Sequence, residues 1–175
     1  MFSIFYEKNN NTDFFNTIKS DFSKLQNYIP IYNRFFKLND TNFNNINLKT
    51  HKRIVKIIQK KDENKYECIN NNGQKCDLFL KFSPILDYIK YMVGKYDCSD
   101  NTLLNLPTFS KQNCHSKCID TNNSAYVDGF FSFLSSQLLH NHKFLHGLDF
   151  YGSFLGIKKK LQCNIEDDIE YILES

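Results

Sequence analysis

The chain has no tryptophan, no long apolar run and no strong excess of either charge, and the last two absences exclude whole classes of function. No stretch approaches the ~18 consecutive apolar residues that cross a bilayer. Met1 to Tyr6 is too short, and carries no basic leader, for a signal peptide. A soluble, intracellular protein is therefore expected. A net charge of +3, from 22 basic and 19 acidic residues, gives no whole-chain field that would argue for nucleic acid. Six cysteines without a secretion signal read as reduced thiols rather than a disulfide framework.

What is present supports folding. With 175 residues and an apolar content of 41% the chain can build one domain with a core. The 17 Phe and 10 Tyr beside many Asn and Lys match the codon usage of an AT-rich genome. Charge is uneven along the chain. Lys49 to Lys61 holds Lys49, Lys52, Arg53, Lys56, Lys60 and Lys61 without an acid, and Ile165 to Ser175 holds Glu166, Asp167, Asp168, Glu170 and Glu174 without a base. These are read as solvated faces.

The clearest pattern lies in Asn122 to Lys160. Val127, Phe130, Phe131, Leu134 and Leu138 fall on one helical face, which predicts a helix over 124–140 with those residues as core. The aromatic, glycine-punctuated stretch 150–157 reads as a strand, and Leu161 to Ile165, after the turn Lys158-Lys159-Lys160, as its hairpin partner. Upstream, Asp13 to Asn27 places Phe15, Ile18, Phe22 and Leu25 on a helical stripe capped by Thr12 or Asp13. From Lys52 the period becomes strand-like: KRIVKIIQKK, KYECIN and CDLFLKF form a three-strand meander, the last two joined through Asn71-Asn72-Gly73. Ser83-Pro84 opens a helix over 84–93. Tyr96 to Thr121 is a long connection, and Asp167 to Glu174 starts another helix. Helices among antiparallel strands make an α+β fold. Residues 1–50 are expected to be an N-terminal helix with an Asn-rich extension. Residues 51–175 are expected to be the α+β domain, and truncation at its C-terminus is left open.

Four features could carry chemistry. Cys114, His115 and Cys118 place two thiols and an imidazole in five residues, types that zinc prefers, but the remaining cysteines show no second paired spacing. Cys68 and Cys76 could face each other across the Asn-Gly hairpin in one register. His140, His142 and His146 form a histidine cluster without a metalloprotease-type acid. Lys81 stands in the apolar run Leu78 to Phe82, where a charge must reach solvent, a carboxylate or a ligand phosphate.

The blocks YVDGFFSFLSSQLLHNHKFLHGLDFYGSFLGIK and LFLKFSPILDYIKYMVGKY resemble uncharacterised proteins of giant DNA viruses of the mimivirus type, over about residues 50 to 175. That resemblance implies a host cytoplasm, virus factory or virion location and no established activity. The order of three strands with a Lys on the third, an acid-bearing helix and further strand also resembles the N-terminal lobe of protein kinases. The likeness implies that Lys81 is the phosphate-pairing Lys, Asp128 its buried helix partner, and FYGSFLGI the fourth strand. His146-Gly147-Leu148-Asp149 is similar to a kinase catalytic loop, but no Asn follows at the metal-binding spacing. Asp62-Glu63-Asn64 supplies no Gly-rich phosphate loop. The module is therefore expected to be degenerate or truncated and non-catalytic. The alternatives are a viral structural or protein-interaction protein and a small zinc-binding module. A protein is the partner expected first and a nucleotide second; no cofactor is specified.

Overall fold

The structure is a computed structural model that describes residues 4–9, 11–110 and 113–175. In chain order the elements are β1 (Tyr6–Lys8), α1 (Thr12–Ile18), β2 (Phe22–Gln26), a 3₁₀ turn (Pro30–Arg34), β3 (Ile46–Leu48), β4 (Ile54–Lys60), β5 (Lys65–Asn70), β6 (Lys75–Phe79), α2 (Tyr88–Met92), α3 (Ser116–Ile119), α4 (Ser124–His142), β7 (Leu155–Lys158), a second 3₁₀ turn (Glu166–Asp168) and α5 (Ile169–Leu173). The fold is α+β, and its strand pairs are antiparallel.

The meander β4-β5-β6 follows from its alternation. In β5, Tyr66, Cys68 and Asn70 are buried while the residues between them are not, as a sheet with one covered face requires. Register places Leu78 opposite Tyr66 and Cys76 opposite Cys68, so the two cysteines do pair across the hairpin. Asn70 closes the turn by accepting from the backbone N–H groups of Asn72 and Gln74, and Gly73 supplies the φ of 74° that other residues resist.

Elsewhere tertiary pairing overrides local period. The helix expected over residues 13–27 stops at Ile18, and Phe22–Gln26 is a strand that pairs with β7. Ile18 and Phe22 are buried together with Ile57, Tyr66, Cys68, Leu78 and Leu80, with Leu25 packed against them. The apolar stripe thus reaches one core by a helix and then a strand. The cap is Asn11 rather than Thr12 or Asp13. For the same reason the C-terminal hairpin does not form. The partner of β7 is β2, Lys159 continues that pairing with a bond to the Asp21 carbonyl, and residues 159–165 form no strand.

Helix α2 starts at Tyr88, not at residue 84, because Asp87 caps it by accepting from the Lys90 N–H at 3.1 Å. Ile85, left outside the helix, packs against a second core of Ile29, Ile31, Tyr32, Leu48, Tyr126, Phe133 and Leu155. The segment between α4 and β7 links the cores: Tyr151 and Phe154 pack on the first, Phe150 and Leu155 on the second. Residues 1–50 belong to both cores through Ile18, Phe22, Ile29, Tyr32 and Leu48, so residue 50 is not a packing boundary. No helix is long and apolar enough to cross a membrane among the described residues.

Candidate functional site

Helix α4 begins where the sequence places it, with Asn123 capping by accepting from the Ala125 N–H at 3.0 Å. It runs two residues past His140, to His142. Its core face is the expected one only in part: Phe130 and Leu134 pack on the second core, and the rest of the expected stripe does not. Tyr126, Phe133 and Ser136 are buried, and Phe130 packs beside them. Of the stripe expected to be core, Val127 is 46%, Phe131 68% and Leu138 40% exposed. At 100° per residue the two sets lie on different sides of the helix. The helix is apolar on both sides, and the fold covers one of them. Phe35, itself exposed, stacks on Phe130 at 4.5 Å and extends the open apolar surface.

Gly147 holds the chain that follows against the helix. A Cβ there would stand 2.7 Å from the Ser135 carbonyl oxygen, so only glycine permits this approach. The same segment delivers Asp149 to a charged cluster that sequence reasoning did not assemble. His140 Nε2 lies 2.5 Å from Asp149 Oδ1, Lys52 Nζ lies 3.0 Å from Oδ2, and the His51 ring stacks on His140 at 4.1 Å. Burial pushes the Asp149 carboxyl up, but the hydrogen bonds and charges of Lys52 and His140 outweigh it and hold the carboxyl below its usual range. Basic residues at 51–52 and the acid at 149 are nearly one hundred positions apart, and no local spacing signals their meeting. The remaining bases of the Lys49 to Lys61 run that form ion pairs use Glu7, Asp21 and Asp77, and none reaches the acidic residues of 166–174.

Lys81 and Asp128 do meet, at 2.7 Å. They meet at the surface, with side chains 63% and 42% exposed, and not as the buried pair that the kinase resemblance implies. Alternation explains it: Leu78 and Leu80 point inward, Phe79 and Lys81 outward. The fourth-strand assignment of FYGSFLGI is likewise corrected, since β7 joins β2 in a separate sheet from the meander.

Cys114 and Cys118 are buried, and burial raises both thiols, Cys118 to about 11 with Cys114 adding to the rise. His115 spends Nδ1 as a helix cap, accepting from the Lys117 N–H at 3.2 Å. Among the described residues no group of three or more His, Cys, Asp or Glu is placed to hold a metal ion. The expected zinc trio is instead a pair of neutral packed thiols beside a capping histidine. Set against protein-family models, curated proteins and solved structures, the chain matches none.

Proposed function

We propose that this protein is a non-catalytic assembly protein that pairs with a second copy of itself through α4. The observation that carries the reading is the exposed trio Val127, Phe131 and Leu138, with Leu134, half-buried against the second core, between them on the same stripe. Its spacing of four, three and four residues is the seam of an α-helical coiled coil. An apolar stripe on a helix is normally covered, and the fold covers only the other one.

The seam fits a second copy better than a charged partner. Its spacing is the same in either direction, so an antiparallel α4 pair sets Val127 against Leu138 and Phe131 against Leu134, as a two-fold interface requires. Of the residues that flank it by helical position, Asp128, Ser135 and His142 on one side and Phe130 and Gln137 on the other, only Asp128 is a carboxylate and none is a lysine. That carboxylate is already paired with Lys81. Antiparallel helices also oppose their dipoles favourably. A virion or virus factory, the location implied by the resemblance, is where such a self-pairing protein would be sought. The nucleotide-binding reading rests on the Lys81–Asp128 contact alone.

Sedimentation velocity over a concentration series tests the pairing. The parent should move from monomer to dimer, and Phe131→Glu should weaken association more than tenfold, about 1.4 kcal/mol, without lowering the unfolding temperature. A parent that stays monomeric throughout the series overturns the reading.

A further inference from the structure

A cleft of about 60 Å³ opens between the β1–β3 pair, α1, the meander and the segment Tyr151–Phe154. That is room for about five water molecules, or on the order of 150 Å³ of ligand. None of its lining comes from α4, so it is independent of the pairing proposed above. Leu78 and Leu80 line it from the end of the meander, and Phe14 and Phe154, in edge contact at 5.6 Å, line it from α1 and the linking segment.

Two opposite charges line the same cleft. Arg53 Nη1 and Glu7 Oε1 stand 3.6 Å apart, beyond hydrogen-bond range. Neither side chain has another charged partner among the described residues. Their backbones are well anchored. Glu7 pairs with Asn47 in the β1–β3 ladder. Arg53 exchanges bonds with Asn71, its N–H donating to the Asn71 Oδ1 and its carbonyl accepting from the Asn71 N–H. Asn11, also on the cleft wall, donates its amide hydrogens to Asn27 and Asn47, which leaves its Oδ1 as an acceptor without a donor among the described residues.

We propose that this cleft binds a free α-amino acid with an aliphatic side chain. Such a molecule carries its ammonium and carboxylate on neighbouring carbons. It can give the carboxylate to Arg53 and the ammonium to Glu7, replacing one loose ion pair by two charge-assisted hydrogen bonds. Its side chain then covers Leu78 and Leu80. Apolar lining with a few orienting polar groups is the general make-up of a small-molecule site. A simple anion would leave Glu7 facing like charge, and a simple amine would do the same to Arg53.

The test is calorimetric titration of the full-length protein with L-leucine, leucinamide and isovalerate. Leucine is expected to bind, and the two analogues, each lacking one charge, to bind at least tenfold more weakly. Arg53→Gln, at an exposed side chain, should reduce leucine affinity at least tenfold while its unfolding temperature stays that of the parent. Absence of leucine, valine and alanine binding to the parent overturns the proposal, as does equal binding of leucine and leucinamide. The analogue series uses the parent alone, so the outcome does not depend on any variant folding.

Discussion

Asp149 shows how a single residue couples the sequence to the stability of the molecule. Its folded carboxyl lies below the usual range because Lys52 and His140 both bind the charged form. A depressed carboxylate stabilises the fold above its unfolded pKa, about 3.9, and that contribution is lost as pH falls through the lower folded value. Asp149→Asn keeps the shape and removes the charge. At neutral pH it should cost about 1 kcal/mol, less than the ~1.5–3 kcal/mol of a hydrogen bond to a charged group, since the cluster is partly exposed. In urea unfolding measured as a function of pH, parent and variant should begin to converge below about pH 4 and meet only once the pH has fallen through the lower folded value, where the parent's carboxyl is neutral as well. A constant difference across the whole range would show that packing, not charge, holds Asp149. Lys81 and Asp128 were legible as a pair only through the kinase resemblance, since a Lys in an apolar run can equally reach solvent, a carboxylate or a ligand phosphate. Their exposure was legible only from the strand alternation that puts Lys81 outward.

Among the elements, α4 separates what periodicity can decide from what it cannot. Its existence, its start at Asn123 and its length were readable from cap and spacing. Its orientation was not, because Tyr126, Phe130, Phe133 and Leu134, which pack inward, and Val127, Phe131 and Leu138, which do not, are all apolar residues at helical spacing. Two apolar stripes satisfy the same rule, and only the neighbours Ile31, Tyr32 and Leu48 choose between them. Phe133→Ala should therefore cost about 3–5 kcal/mol, for a side chain 1% exposed. Phe131→Ala should change monomer stability by no more than about 0.5 kcal/mol. Chemical denaturation of both variants at a concentration below pairing measures the contrast. Equal losses would mean that both stripes are covered within one chain, which would also remove the basis for self-pairing. Strand β2 makes the complementary point: Phe15, Ile18, Phe22 and Leu25 fit a helix by spacing alone, and pairing with β7 turns the second half into a strand.

For the molecule as a whole, the missed element is the role of the N-terminal fifty residues. Their Asn-rich composition suggested an appendage, yet the Asn side chains are fasteners. Asn44 accepts from the Asn27 and Tyr28 N–H groups, Asn27 donates to the Asn44 carbonyl, and Asn47 donates to the Asn9 carbonyl. These bonds hold the loop through which Ile29, Tyr32 and Leu48 enter the second core, while β2 supplies the partner of β7 and places Phe22 in the first. Composition cannot distinguish an amide that solvates a loop from one that closes it, because the difference lies in partners 16 to 38 residues away. Removing residues 1–26 deletes Ile18 and Phe22, each worth about 1.5–3 kcal/mol of burial, and leaves β7 as an open edge above Ile57, Tyr66 and Leu80. Together, about 3–6 kcal/mol, they reach the lower end of the whole stability of a domain, about 5–15 kcal/mol, before the lost β2–β7 pairing is counted. The shortened chain should show no cooperative thermal transition and should lose the near-ultraviolet dichroism of its packed aromatic residues. A cooperative transition within a few degrees of the parent would place the folding unit after residue 26, and the first core would then have to be held by the meander and the segment 150–158 alone.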